Sequence, residues 1–114
     1  MSISPKGGYE MWEEIIRSFA ENPRNVQSQP ITKRSPLWFY VYVENSTLYV
    51  DRAKDAFPSS NLSQRRKLAN SSKKCDIMYN LYRRRQNGES VSVEASATTV
   101  NQVYWYGVFA DMGY

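Results

Sequence analysis

SVEASATTVNQVYWYGVF, residues 92–109, starts small and polar and ends in a run of aromatic and branched side chains. As a strand, Val91, Val93, Ala95 and Ala97 would alternate with Ser92, Glu94, Ser96 and Thr98, and Val103 to Tyr106 has high β propensity. As a helix, Thr99-Val100-Asn101-Gln102 has the form of a capping box, and Val100, Val103, Tyr104, Gly107 and Val108 recur at three- and four-residue spacing. The helical spacing is preferred over about residues 99–111, with 91–97 as a turn or brief helix before it. The alternative adds C-terminal strands to a hairpin earlier in the chain.

Upstream, Lys73 to Gln86 predicts a helix with Cys75, Ile77, Met78, Tyr79, Leu81 and Tyr82 facing inward and Lys73, Asp76, Asn80, Arg83 and Arg84 facing out. Asn87-Gly88 ends it, glycine being free to take a positive φ. Asn70-Ser71-Ser72 reads as a break and cap, Ser63 to Ala69 as a short helix, and Asp55 to Asn61 as a break. Leu37, Phe39, Val41 and Val43 alternate with Trp38, Tyr40 and Tyr42, and after Glu44-Asn45-Ser46-Thr47 the pattern resumes in Leu48-Tyr49-Val50. That is a β-hairpin, apolar or aromatic on both faces. Arg24 to Ser35 is polar and reads as a loop. Tyr9, Met11, Trp12, Ile15, Ile16, Phe19 and Ala20 share one half of a helical wheel, against Glu10, Glu13, Glu14, Arg17, Ser18 and Glu21, and Asn22-Pro23 stops that helix. The expected fold is α+β: an amphipathic N-terminal helix, one hairpin, a basic helical segment and a C-terminal helix, in a single domain over residues 1–114.

Composition narrows the function. With 114 residues, 41% of them hydrophobic and 14% aromatic, the chain can bury one core unaided. One cysteine, Cys75, and no histidine exclude an internal disulfide and leave no zinc or haem ligand set, so neither metal nor cofactor is expected. Met1 to Gly8 has no apolar core, and no later run approaches the ~20 apolar residues that span a bilayer. A reducing, cytoplasmic setting without a membrane partner is the expectation.

The net charge of +4 conceals its distribution. Residues 1–61 hold seven Lys/Arg and seven Asp/Glu, residues 62–86 hold eight against one, and residues 87–114 hold none against three. A field so one-sided steers polyanions, and neutralising phosphates is the main sequence-independent term in nucleic-acid binding. Arg65, Arg66, Lys67, Lys73, Lys74, Arg83, Arg84 and Arg85 are therefore the candidate phosphate contacts.

If 99–111 is helical, it and helix 73–86 make a helix-turn-helix-like unit whose second helix starts with Thr98 and Thr99 and exposes Asn101 and Gln102, both able to pair bidentately with adenine. Its connection is longer than that motif's tight turn, and the reading helix carries no arginine. The leading expectation is a non-enzymatic nucleic-acid-binding protein with duplex DNA as the preferred target. A protein-interaction module using the aromatic residues is the second. Trp38, Tyr40 and Tyr42 could instead stack bases, or be covered by the rest of the chain. Catalysis finds little: Glu44, Asp51, Asp55 and Lys54 cluster around the hairpin end but match no metal motif, and a histidine-free ribonuclease using Arg83, Arg84, Arg85 and Tyr82 is the third reading.

Overall fold

Trp105, Tyr106, Gly107, Val108 and Phe109 are all buried. Five consecutive buried residues cannot lie on one stripe of a surface helix; they belong to a helix covered all round. The computed structural model, which describes residues 8–30 and 35–114, places them in such a helix. The order is α1 (Gly8–Glu21), β1 (Arg24–Gln27), β2 (Trp38–Glu44), β3 (Thr47–Arg52), β4 (Arg66–Ala69), α2 (Ser72–Gln86), α3 (Ser92–Thr98) and α4 (Gln102–Asp111). The fold is α+β, with a four-stranded antiparallel sheet in the order β1-β2-β3-β4. The Tyr9 side chain and residues 31–34 of the expected loop lie outside the described residues.

The hairpin forms as its alternation predicts, with Asn45 and Ser46 both at positive φ (52° and 59°) in the two-residue turn that suits the strand twist. Two strands depart from the expectation. Residues 24–27, expected as loop, pair with 38–41, so that Val26 sits opposite Phe39 on the buried face. Residues 66–69, expected as part of a helix, run along β3, with an irregularity between Leu48 and Tyr49. Both strands are short and mostly polar, so side-chain pattern says little about them; the free edges of an already formed hairpin supply their backbone partners.

The helices pack on one face of the sheet. Met11, Trp12, Ile15 and Phe19 turn the apolar stripe of α1 inward, whereas Ala20, expected on that stripe, is exposed. Helix α2 buries Cys75, Met78, Leu81 and Tyr82; Ile77, expected inside, is exposed. Gly88, at φ 88°, closes α2, the Gly88 and Glu89 amides donating to the Arg85 and Arg84 carbonyls. Ser71 is the N-cap of α2 but makes no capping bond with its side chain.

Helix α4 occupies the centre. Trp105 meets Trp12 of α1, Phe109 meets Tyr79 and Tyr82 of α2, and Tyr104 sets its ring edge-on to Phe39 of β2, with centroids 5.0 Å apart. Gly107 allows the closest approach: an added Cβ would lie 2.6 Å from Phe39 Cζ and 2.7 Å from the Gln27 carbonyl oxygen. Arg24 ties the ends together, donating from Nε and Nη2 to Asp111 Oδ2 at 2.9 and 2.6 Å while its guanidinium lies 3.9 Å from the Phe19 ring centroid.

Gly107→Ala should therefore destabilise the protein by about 1–3 kcal/mol, overpacking outweighing the ~1 kcal/mol gained in helix propensity. An unchanged denaturation midpoint would contradict this packing. Burial pushes the Cys75 thiol up to about 12. At pH 8 its labelling by a thiol reagent should be about a thousandfold slower in the folded protein than in denaturant, because the thiolate is the reacting form. Equal rates would place Cys75 outside the core.

Candidate nucleic-acid interface

In an antiparallel pair, residues directly opposite each other share a face. Phe39, Val41, Leu48 and Val50 are buried under the helices, so the register places Trp38, Tyr40, Tyr42, Tyr49 and Asp51 on the other face. Asn25 and Gln27 extend it across β1, and Lys67 across β4, opposite Tyr49. No described helix covers this face.

The rings form one cluster. Tyr40 and Tyr42 have centroids 5.8 Å apart, and Tyr42 and Tyr49 stack at 5.6 Å with an interplanar angle of 20°. Cations lie over two of them: the Lys54 ammonium is 4.2 Å from the Tyr40 centroid and the Arg65 guanidinium 4.1 Å from that of Tyr49. Arg65 is held there by bonds to the Tyr42 hydroxyl (3.2 Å) and Glu44 (3.0 Å), which raise its pKa further above its ordinary value. Lys54 is fixed through its backbone, since the Asn25 amide donates to its carbonyl (2.6 Å) and accepts from its N–H (2.8 Å). The result is a half-buried aromatic surface with charge held at its rim.

The cations expected to form one phosphate-binding face are divided. Arg65 and Lys67 reach the open sheet face. Arg66 points the other way and donates to Asn101 Oδ1 at 3.3 Å. Lys73 and Lys74 stand in the first turn of α2. At its far end Arg83 donates to the Tyr79 hydroxyl (3.2 Å), Arg84 grips Glu89 (3.0 Å) and both Glu94 oxygens (2.7 and 2.8 Å), and Arg85 lies over the Tyr106 ring and donates to the Gln29 carbonyl. Arg84 fixes α3 against α2, and its bond holds the Glu94 carboxyl below its ordinary value.

The groups expected to read bases are not presented as expected. Asn101 is 9% exposed and precedes α4, its backbone N–H bonded to the buried Thr99 hydroxyl. Gln102 is half-buried and donates to Ser96 Oγ at 3.3 Å, and the Thr98 hydroxyl donates back to the Glu94 carbonyl. The centre of α4, Trp105 to Phe109, is enclosed and its exposed residues, Val103 and Asp111, lie near its two ends, so it has no continuous free face to lay in a groove. Nor do Arg83, Arg84, Arg85 and Tyr82 converge on an exposed centre, since Tyr82 is 4% exposed under desolvation that raises its pKa.

Among the described residues no group of three or more His, Cys, Asp or Glu could hold a metal, and no helix is long and apolar enough to cross a membrane. Sequence reasoning grouped Lys54 with the acids of the hairpin end and did not place it or Tyr49 on this face. The hairpin register puts Tyr49 opposite Tyr42 and was available from the turn, but the return of Lys54 over Tyr40 depends on Asn25, in a strand the side-chain pattern hides. Comparison with known families, with characterised proteins and with solved structures finds no match to this chain.

Proposed function

We propose that this protein binds single-stranded nucleic acid on the open face of its sheet, without catalysing a reaction on it. The observation that carries the reading is the cluster of Tyr40, Tyr42 and Tyr49, with Trp38 on the same face and Lys54, Arg65 and Lys67 around it. Aromatic rings offer bases a stacking surface of any sequence, and the adjoining cations meet the phosphates that join them. In a duplex those base faces are already stacked inside, so the same surface favours a single strand; the enclosed α4 supports no duplex-reading helix. A protein-binding patch of similar area is ordinarily poor in lysine, whereas Lys54 and Lys67 belong to this one. The buried free thiol of Cys75 suits a reducing, cytoplasmic setting.

Replacing Tyr42 with alanine removes one stacking ring from an open face and leaves the core untouched. Tyr42→Ala should weaken binding of a strand of about ten nucleotides by roughly 5- to 150-fold, the equivalent of about 1–3 kcal/mol per stacked base. Anisotropy of a labelled oligonucleotide measures it, with Val93→Ser, a change at a residue 83% exposed on α3, as the control. Equal affinity of Tyr42→Ala and the unaltered protein would reject the stacking surface, and tighter binding to duplex would reject the single-strand preference.

A further inference from the structure

Most basic side chains around the sheet already have partners within the fold. Arg24, Arg65 and Arg84 are ion-paired, Arg52, Arg66, Arg83 and Arg85 are hydrogen-bonded, and Lys54 lies over Tyr40. Lys67, Lys73 and Lys74 differ. Among the described residues none of the three side chains has an ion pair or hydrogen bond, and all three residues line one cleft of about 450 Å³ between β4 and α2, together with Asn70, Ser71 and Thr98.

Two features of this arrangement work against the fold. Lys73 and Lys74 line a cleft, bordered also by Lys67, that has no acid among its lining residues; Asp76, the acid on α2, lines the neighbouring cleft with Arg84 and Glu94. Lys73 and Lys74 also occupy the first turn of a 15-residue helix that has no acidic residue there, where the helix dipole disfavours cations. A bound anion would reverse the sign of both effects at once. Lys67 connects the cleft to the aromatic surface: in register with Tyr49 it leaves the sheet on the open face, and it also lines the cleft.

We propose that this cleft holds a backbone phosphate of the strand whose bases stack on the open sheet face, so that the nucleic acid leaves the sheet across β4 and continues along the start of α2. The inference rests on the single-strand reading above. Lysine ammonium groups are mobile point charges and do not form a planar fork, so the contact strengthens binding and sets the strand's path without selecting sequence.

The test is the double variant Lys73→Gln/Lys74→Gln, whose melting temperature should equal or exceed that of the unaltered protein, since two cations leave the first turn of α2. Affinity for a strand of about ten nucleotides is read from Trp38 fluorescence, the other tryptophans, Trp12 and Trp105, being buried. Each lost phosphate contact lowers the slope of log affinity against log salt by about 0.7 for a single strand, so the double variant, which empties the one-phosphate cleft, should lose about 0.7 from the slope. Between about 50 and 200 mM salt the unaltered protein should then lose about 2.6-fold more affinity than the variant. An unchanged slope with binding still dependent on Tyr42 would overturn the cleft while leaving the aromatic surface standing. Absence of strand binding in the unaltered protein would overturn both. If inorganic phosphate raises the melting temperature of the unaltered protein but not of the variant, while strand binding is identical in the two, the cleft belongs to free phosphate and the proposal fails.

Discussion

The approach of α4 to the sheet at Gly107 sets the rest of the architecture. With no side chain at that position, the helix backbone comes down onto Phe39 and the Gln27 carbonyl, closer than any other residue permits. From there its aromatic side chains reach Trp12 of α1 and Tyr79 and Tyr82 of α2, two helices that also pack against each other. Helices α1 and α2 then have their apolar stripes satisfied on the same side of the sheet, and no described helix covers the other, where Lys54 and Arg65 lie over Tyr40 and Tyr49.

That asymmetry explains why a chain with so many tyrosines leaves several at the surface. The outward residues of β2 and β3 are aromatic because ring-to-ring contacts stabilise cross-strand pairs even when half exposed. Their hydroxyls stay wet or bonded, as that of Tyr42 is to Arg65. Positive charge follows a similar division of labour. Where arginines meet acids or carbonyls they join elements, Arg24 joining α1, β1 and α4, and Arg84 joining α2 and α3. Lysines are left toward solvent, and it is the lysines, with Arg65, that lie along the path from aromatic surface to cleft.

Much of this was legible in the sequence, and what was hidden had a physical reason. Period-two alternation over 37–50 and helical periodicity over 9–20 and 73–86 identified the hairpin and two helices, because long amphipathic segments carry their burial in their spacing. The stretch 92–109 was ambiguous because the centre of α4, Trp105 to Phe109, is enclosed on all sides, and an enclosed segment has no stripe. Strands β1 and β4 were hidden because four mostly polar residues at a sheet edge are held by backbone bonds that no side chain announces. The candidate site divided the same way. Trp38, Tyr40 and Tyr42 could be placed on one face from alternation alone, whereas the separation of Arg65 from Arg66, and of both from Arg84 and Arg85, follows from β4 being a strand. A basic stretch contiguous in sequence is thereby distributed over distinct surfaces.

The central claim is that the uncovered sheet face is where the ligand binds, and amide chemical-shift mapping with a single-stranded oligonucleotide tests it most directly. The account predicts that shifts concentrate in β2 and β3 and at Lys54, Arg65 and Lys67. Shifts clustered instead around the exposed Val93, Val100 and Val103, with β2 and β3 unperturbed, would contradict it.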